Sequence, residues 1–295
     1  MSSLSVRIAM VYSRLRPEEK LLLEAAERKG IELVPVHDDA LVLDLDARPF
    51  AGYDAVLERS LSYYRSLYLL RFLRAWGVPA VNSYDVAATC GDKTETSIRL
   101  ARAGVATPDT RVAFTREAAL KALGELGYPA VIKPTMGSWA RLLARVDSER
   151  EAEAILEHKE ALPNPLQHVY YLQAYVDKTD GSDEHKDIRA FVVGGRTIAA
   201  IWRVSPHWIT NTARGGKARN CPVTPELEAI CARASEAVGG GVLAMDLMIG
   251  RDGRLVVHEV NHTMEFRNSI APTGVDIPGE LLEHTLRVAR GEVAA

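Results

Sequence analysis

The sequence has few cysteines, no long apolar run and almost no charge imbalance. Its three cysteines, Cys90, Cys221 and Cys231, are odd in number and widely spaced without a CxxC pair, so we expect reduced, structural thiols. With 36 Lys and Arg against 39 Asp and Glu, neither nucleic acid nor a membrane surface is an expected partner. No segment approaches the ~20 apolar residues of a membrane span, and residues 1–11 fit a strand better than a signal peptide. The sequence therefore predicts a cytoplasmic protein.

Two glycine-rich nucleotide motifs are also missing. No GxGxxG follows the first predicted strand and no GxxxxGK[ST] occurs anywhere, which argues against a Rossmann dinucleotide site and against a Walker P-loop. A nucleotide, if bound, needs another phosphate cradle. The 295 residues, 47% of them hydrophobic and 25% charged, are typical of a globular chain of roughly two domains.

Short β-branched runs alternate with amphipathic helical patterns over the first 90 residues. Strands are predicted at 6–11, 31–36, 55–57 and 78–81, with helices at 17–29 and 65–76. This βαβ rhythm predicts a small parallel sheet. Later patterns predict helices at 93–103, 116–126 and 278–290 and a strand at 130–133, and strands dominate beyond about residue 170. We expect a mixed α/β and α+β chain with three units, at 1–91, 92–176 and 177–295.

A hairpin predicted at 241–260 carries a candidate metal site. Its Asp-Gly turn predicts a two-residue loop with Arg251 opposite Arg254, which places Asp246 directly opposite Glu259. Two carboxylates about 5 Å apart on one sheet face are destabilising unless a cation lies between them. Asn261 adds an amide oxygen on the same face, and such hard oxygen ligands suit Mg²⁺. A single solvated carboxyl on an exposed face is the alternative.

The same segment contains an HExxH pattern at 258–262, which on a helix would indicate a zinc protease. On a strand the two histidines would be roughly 13 Å apart at ~3.3 Å per residue, so one zinc ion could not reach both. We therefore disfavour a metalloprotease.

Basic residues offer candidate anion sites. Lys133 ends a predicted strand beside a small-residue loop, which suits a polyphosphate, although a surface lysine is the alternative. Residues 196–219 contain no Asp or Glu, and they could meet phosphate or an acidic peptide tail, or form a solvated basic face. A second hairpin, at Gly194-Gly195, places Asp187 and Arg189 on one face of its first strand.

Several segments together resemble the RimK-like branch of the ATP-grasp superfamily, essentially over the full length. They are Lys133, Gln173-Ala-Tyr-Val, Lys186-Asp-Ile-Arg, Asn211-Thr-Ala-Arg-Gly-Gly, Asp246 and Glu259-Val-Asn. The resemblance implies an ATP-grasp fold after an N-terminal pre-ATP-grasp domain, and an ATP-dependent carboxylate–amine ligase that forms an acyl phosphate. Segments 57–65, 261–269 and 273–279 resemble ligases of lysine biosynthesis in this branch, which join α-aminoadipate to a small acidic amino-group carrier protein. The family also implies a homodimer or homotetramer.

The resemblance implies a role for each matching residue. The nucleotide would be held by Lys93 and Lys133, by Gly137, Ser138, Trp139 and Arg141 of a closing loop, by Lys186 and Asn211, and by the backbone of a hinge at Gln173, Ala174, Tyr175 and Val176. Relatives often carry Glu where this chain has Ala174. Mg²⁺, as two ions, would be bound by Asp246, Glu259 and Asn261. Phosphoryl transfer would be assisted by Arg203, Asn211 and Arg214. The substrate would contact Arg203, Thr212, Ala213, Glu265, Phe266, Arg267, Asn268 and Ser269.

Three alternatives remain open from the sequence. Glutamate could replace α-aminoadipate, because one methylene is worth only about 1 to 3 kcal/mol in a pocket. Glutamates could instead be added to a protein C-terminus. A regulator that binds ATP without catalysis is disfavoured, because a binder has no need of the metal ligands together with the cations.

Overall fold

A computed structural model describes residues 6–137, 141–177, 184–211, 215–250 and 252–295. These residues form three sheets that follow one another along the chain. None of the helices in these ranges is long and apolar enough to cross a membrane.

The first sheet is parallel and has the order β2-β1-β3-β4. Its elements are β1 (Arg7–Tyr12), α1 (Pro17–Lys29), β2 (Glu32–His37), a 3₁₀ turn (Asp38–Ala40), β3 (Ala55–Arg59), α2 (Tyr63–Trp76) and β4 (Ala80–Val81). Helix α1 begins at Pro17, whose missing N–H is not needed there, and ends at Gly30 with a φ of 66°. The predicted βαβ unit is confirmed.

Two short helices, α3 (Tyr84–Gly91) and α4 (Lys93–Arg102), connect the first sheet to the second. The Asp92 side chain accepts hydrogen bonds from the N–H groups of Thr94 and Glu95, so it starts α4 at the residue where α3 ends. Val86 and Leu100 of this pair belong to the core of the third sheet, across the predicted boundaries.

The second sheet is antiparallel, with the order β5-β8-β6-β7. Its elements are β5 (Thr110–Ala113), α5 (Arg116–Leu126), β6 (Ala130–Lys133), β7 (Ala144–Val146), α6 (Glu149–Glu160), a 3₁₀ turn (Pro165–His168) and β8 (Tyr170–Ala174). The hydroxyls of Thr115 and Ser148 cap the two helices, which pack their apolar residues onto one face of the sheet. Helix α5 and strand β6 have the predicted bounds.

The third sheet is antiparallel and has the order β11-β10-β9-β12-β13. Its elements are β9 (His185–Val193), β10 (Arg196–Ser205), β11 (Lys217–Asn220), α7 (Pro225–Val238), β12 (Val242–Ile249), β13 (Leu255–Asn261), α8 (Arg267–Thr273) and α9 (Ile277–Ala289). One face packs on α3, α4 and α7. The apolar part of the other face, including Phe191 and Ile201, packs on α9 and on Ile8 and Met10 of the first sheet.

The hairpin between β12 and β13 differs from the prediction at its turn. The Gly250 N–H donates to the Arg254 carbonyl oxygen at 2.9 Å, so Gly250 is the partner of Arg254, and Arg251 lies outside the described residues. The pairing runs from Ile249 with Leu255 to Leu247 with Val257, and then shifts by one residue at a β-bulge. Beyond the bulge Asp246 pairs with Glu259, so the predicted pair is confirmed by a different route.

Candidate active site

A cavity of about 290 Å³ lies between the second and third sheets. The first sheet and its helices, called the first unit below, close one side of it. The second sheet contributes Lys133 and Gln173, the third sheet contributes Asp246 and Glu259, and the first unit contributes Arg16. Most of the polar residues selected from the sequence therefore meet in one place.

Lys133 lies on the floor of this cavity and is only 7% exposed. Its Nζ donates to Gln173 Oε1 at 2.6 Å and lies 5.9 Å from the centre of the Tyr171 ring. The Gln173 amide nitrogen in turn donates to the Tyr171 hydroxyl and to Thr110 Oγ1. A neutral amide thus orients the Lys133 cation inside the cavity, and the same charge helps to lower the pKa of Glu259.

Lys93 contacts both the loop at Gly137 and the carboxylate of Glu259. Its Nζ donates to the Gly137 carbonyl oxygen at 2.8 Å and lies 3.4 Å from Glu259 Oε1, while its own N–H donates to the Thr135 carbonyl oxygen. Burial opposes ionisation of Glu259, but the positive charges around it, Lys93 first and Lys133 among them, together lower the pKa of that carboxyl. Glu259 is therefore a carboxylate at neutral pH.

A chain of buried ion pairs runs across the third sheet. Arg189 donates two hydrogen bonds to Asp246, both at 2.8 Å, and Arg203 donates two to Asp187, at 2.7 and 2.8 Å. Arg203 Nη2 also lies 3.1 Å from Asp246 Oδ2, and Thr210 Oγ1 donates to Asp187. Two carboxylates and two guanidinium groups thus alternate on neighbouring strands.

This alternation determines the charge of Asp246. The side chain is 2% exposed, and burial by itself would raise its pKa. Arg189 and Arg203 outweigh burial and lower the pKa of Asp246 to about 2. Burial also opposes the charge of Arg203, but Asp187 and Asp246 raise the pKa of its guanidinium above the usual range. Asp246 and Arg203 are therefore both ionised at neutral pH.

The donor set at Asp246 and Glu259 fits a hard divalent cation. One ligand atom of each carboxylate and one of His258 lie within 4.8 Å of one another. The Asn261 Nδ2 atom is buried and has no hydrogen-bond partner among the described residues, so a phosphate oxygen at this point would satisfy it. Asp246 Oδ1 accepts one hydrogen bond, from Arg189, and so keeps a lone pair for a metal ion. The residues present therefore suit Mg²⁺.

The hinge residues predicted to meet a nucleobase also line the cavity. The N–H groups of Ala174 and Tyr175 already donate to the carbonyl oxygens of Asp109 and Pro129, at 2.8 and 3.2 Å. The next N–H along the chain is that of Val176, which is the better candidate for a base. Trp208 and Tyr175 form an edge-to-face pair with ring centroids 6.3 Å apart at this end of the cavity.

Several predicted site residues lie away from this cavity. Lys186 neighbours Asp187 on β9, so strand alternation turns it to the opposite face, where its Nζ lies 5.6 Å from the centre of the Trp202 ring. Phe266 is fully buried in the core shared with the first sheet, Ser269 is buried in α8, and Arg267 and Asn268 are exposed. These five do not line the described cavity.

The remaining predicted residues divide into two groups. Gly137, Arg141, Arg203, Asn211 and Glu265 line the cavity. The other five, Ser138, Trp139, Thr212, Ala213 and Arg214, lie outside the described residues.

The cavity contains residues that sequence reasoning did not select. Arg189 and Thr210 line it beside Asp187, and the first unit adds Arg16, whose Nη1 lies 3.2 Å from Glu265 Oε1. Only the alternation of Asp187 and Arg189 on one strand face signalled part of this set. The pairing of β9 with β12, which brings Arg189 to Asp246, has no local sequence signal.

Behind Arg16 lies a second buried ion network. Glu19 is fully buried, and its carboxylate accepts hydrogen bonds from Arg16 and Arg59. Burial opposes the charge of Glu19, but the two guanidinium groups lower the pKa of this carboxyl. Arg59 also donates to the Met264 carbonyl oxygen at 3.1 Å, so the network ties the first sheet to the segment that precedes α8.

The chain matches two family models, the LysX preATP-grasp domain over residues 8–89 and the RimK-like ATP-grasp domain over residues 90–285. It is 31% identical over 285 residues to the glutamate–LysW ligase ArgX of Sulfolobus acidocaldarius, and the matched region covers 95% of this chain and 98% of the relative. It is 32% identical over 270 residues to the alpha-aminoadipate–LysW ligase LysX of Saccharolobus solfataricus, with 91% and 96% covered.

Solved structures share the architecture. A RimK domain ATP-grasp protein from Sphaerobacter thermophilus superposes with a TM-score of 0.79 at 28% identity, covering 95% of this chain and 100% of that one. The D-alanine–D-alanine ligase of Bacillus anthracis, solved with ATP, has a TM-score of 0.69 at 18% identity, covers 98% and 100%, and shows a shared fold alone.

Proposed function

We propose, from the premise that the chain belongs to the RimK-like ATP-grasp family and is a carboxylate–amine ligase, that it joins the α-amino group of α-aminoadipate to the C-terminal glutamate γ-carboxyl of a small acidic carrier protein. ATP would supply the energy, and the product would belong to lysine biosynthesis. One observation carries the proposal: a single cleft holds Lys93 and Lys133 opposite the carboxylates Asp246 and Glu259.

The cations and carboxylates divide the work of holding a nucleotide. Lys133, oriented by Gln173, and Lys93, oriented by the Gly137 carbonyl, would bind the phosphates. Asp246, Glu259 and Asn261 would hold Mg²⁺, which when bound would neutralise charge on the phosphate oxygens. Arg203 reaches this site through Asp187 and Asp246, so it would orient those carboxylates as well as face the transferring phosphoryl group.

The proposed reaction has two steps. A carboxylate oxygen of the carrier attacks the γ-phosphorus of ATP, the bond to the β-phosphate oxygen breaks, and ADP leaves. The amine nitrogen then attacks the acyl carbon, phosphate leaves with the electrons of the C–O bond, and the proton of the amine passes to solvent. Positioning and charge neutralisation are sufficient for this chemistry, and no nucleophilic side chain is required.

The first unit would complete the amino-acid pocket. Among the residues that the structure describes, this unit contributes the cation Arg16 and the polar residues Ser60 and Tyr63 to the cavity lining, and Glu265 lies beside Arg16. Its guanidinium contacts Glu265 at 3.2 Å, and a carboxylate of the amino acid could replace Glu265 as its partner. Glu265 would then be placed to accept a hydrogen bond from the incoming ammonium group.

Glutamate is the second candidate for the amino acid. The two relatives described above differ in this substrate, yet both match this chain at almost equal identity. The two amino acids differ by one methylene, so the same arrangement of charges serves either one.

The decisive experiment is intact-mass analysis of the carrier after incubation with the enzyme, ATP, Mg²⁺ and an equal mixture of α-aminoadipate and glutamate. We expect a shift by one α-aminoadipate residue. A shift by glutamate would assign the second candidate. No shift, together with ADP formation that Asp246→Ala leaves unchanged, would overturn the proposal.

The edge strand β11 is the proposed docking surface for the acidic carrier. Lys217 and Arg219 are exposed there, at the outer edge of the third sheet. We expect Lys217→Glu with Arg219→Glu to raise the KM for the carrier about tenfold, since charge reversal at a rim weakens encounter, and to leave the KM for ATP unchanged. Lys121→Glu, on exposed α5, is the matched control. Equal carrier kinetics in both variants would contradict this surface.

A further inference from the structure

The β-bulge in β13 changes the direction of one side chain. In a regular strand the neighbour of Glu259 would face away from Glu259, because successive side chains alternate between the two faces. His258 is the extra residue of the bulge, since Val257 pairs with Leu247 and Glu259 with Asp246. His258 and Glu259 consequently line the same cavity.

The His258 side chain lies close to the carboxylates of Asp246 and Glu259. A ring nitrogen of His258 and one carboxylate oxygen each of Asp246 and Glu259 lie within 4.8 Å of one another. Metal–ligand bonds of about 2.0 to 2.2 Å place neighbouring ligand atoms roughly 3 to 4 Å apart, so these three atoms can share one ion after side-chain movements of about 1 Å.

We propose that His258 is a nitrogen ligand of the divalent cation bound by Asp246 and Glu259. The inference rests on the metal site of the proposed function and extends its donor set from oxygen alone to oxygen and nitrogen. Mg²⁺ prefers oxygen ligands, whereas imidazole suits transition metals. The chain therefore binds Mn²⁺ more tightly, relative to Mg²⁺, than a site built from carboxylate and amide oxygens.

The surrounding charges allow this role. Asp246 and Glu259 are ionised at neutral pH, and each pairs with a neighbouring cation, Arg189 with Asp246 Oδ1 and Lys93 with Glu259 Oε1. The one other His-containing group of candidate ligands in the described residues, His37 with Asp38 and Asp39, lies at the surface of the first unit. Arg65 already pairs with both of those carboxylates, so that group is the natural control.

The test uses the whole chain with Mn²⁺ alone, without nucleotide, because adenine would add its own nitrogen atoms. Continuous-wave EPR measures bound Mn²⁺, and pulsed EPR detects nitrogen bound to it. We expect nitrogen modulation in the parent and in His37→Gln, and its loss in His258→Gln. In the latter variant the Kd for Mn²⁺ should rise about tenfold, the effect typical of a lost metal-site partner, while the Kd for Mg²⁺ by competition changes less.

The outcomes separate this inference from the function on which it rests. Bound Mn²⁺ that shows no nitrogen modulation in the parent, and is lost in Asp246→Asn, would overturn the role of His258 and keep the metal site. Mn²⁺ binding that is unchanged in Asp246→Asn would overturn the metal site itself. Modulation that persists in His258→Gln would assign the nitrogen to another residue. The ratio of Mn²⁺ to Mg²⁺ affinity is measured on folded protein only, so a loss of stability cannot imitate the result.

Discussion

The two sheets that face each other across the cleft hold their charged side chains in opposite ways. The second sheet presents one buried cation, Lys133, oriented by the neutral amide of Gln173. The third sheet holds two carboxylates and two guanidinium groups that neutralise one another, in the order Arg189, Asp246, Arg203 and Asp187. One side of the cleft thus presents a cation oriented by a neutral amide, and the other presents a set of charges that are paired with one another within the fold.

The charged residues of the two sheets should therefore contribute differently to ligand binding and to folding stability. Lys133 lies outside that chain of ion pairs and lines the cavity, so its main contribution should be to ligand binding. A buried ion pair is different, because removing one partner leaves an uncompensated charge in the interior. Mutations of the ion pairs on the third sheet should therefore lower stability and activity together, whereas those at Lys133 should lower activity more than stability.

The largest effect is expected from Asp246→Asn. The variant leaves Arg189 and Arg203 facing a neutral amide in a buried site, so the free energy of unfolding should fall by about 3 to 5 kcal/mol. ATP turnover should fall at least about 10³-fold, since a metal ligand is lost as well. Urea unfolding and ADP release measure the two effects. Unchanged stability would show that this ion-pair chain does not hold the sheet together.

A second effect concerns acid stability and the ion network of the first unit. The pKa of Glu19 is lowered in the folded chain, so its contribution is present above the usual pKa of about 4.3 and is lost as pH falls through the lowered value. We expect Glu19→Gln to lower the free energy of unfolding at pH 7 by roughly 2 to 3 kcal/mol, as measured by urea unfolding. Between pH 5 and pH 3 the variant should lose less stability than the parent. Parallel acid curves for the two proteins would contradict this role of Glu19.

The smallest effect on stability is expected from Lys133→Met. Met preserves the aliphatic stem and Gln173 keeps its hydrogen bonds to Tyr171 and Thr110, but the buried Gln173 Oε1 loses its donor. The free energy of unfolding should therefore fall by about 1 to 3 kcal/mol. Turnover should nevertheless fall about 10²- to 10³-fold through loss of a phosphate-binding charge. A stability loss as large as that of Asp246→Asn would remove the distinction between the sheets.

Local signals were sufficient for much of the fold and for part of the site. The ATP-grasp fold and the N-terminal parallel sheet expected from the motifs are confirmed. The pairing of Asp246 with Glu259 is also confirmed, but two departures from the assumed geometry compensate: the turn begins its pairing at Gly250, and the bulge at His258 restores the register. Turn chemistry predicts a register only when the strands beyond it are regular.

Non-local contacts were beyond such reasoning. Arg189 meets Asp246 because β9 pairs with β12, and more than fifty residues separate those two strand positions. Arg16 reaches the cavity from the start of helix α1, which belongs to another part of the chain. The resemblance predicts that the motif at 265–269 lines the substrate pocket. Its aromatic residue, Phe266, instead packs in the core between the first and third sheets. A conspicuous motif can reflect packing as well as recognition.

Helix α9 packs against the first sheet, with Ile277 and Leu281 in the same core as Ile8 and Met10. During synthesis the strands of that sheet emerge from the ribosome long before the helix that covers them. Until α9 is made, one apolar face of the sheet has to be sheltered by other means, and contacts between such distant positions form slowly. This core is therefore completed only after β12 and β13, with their carboxylates Asp246 and Glu259, have been made, so a nascent fragment that contains only the first sheet would expose an apolar face.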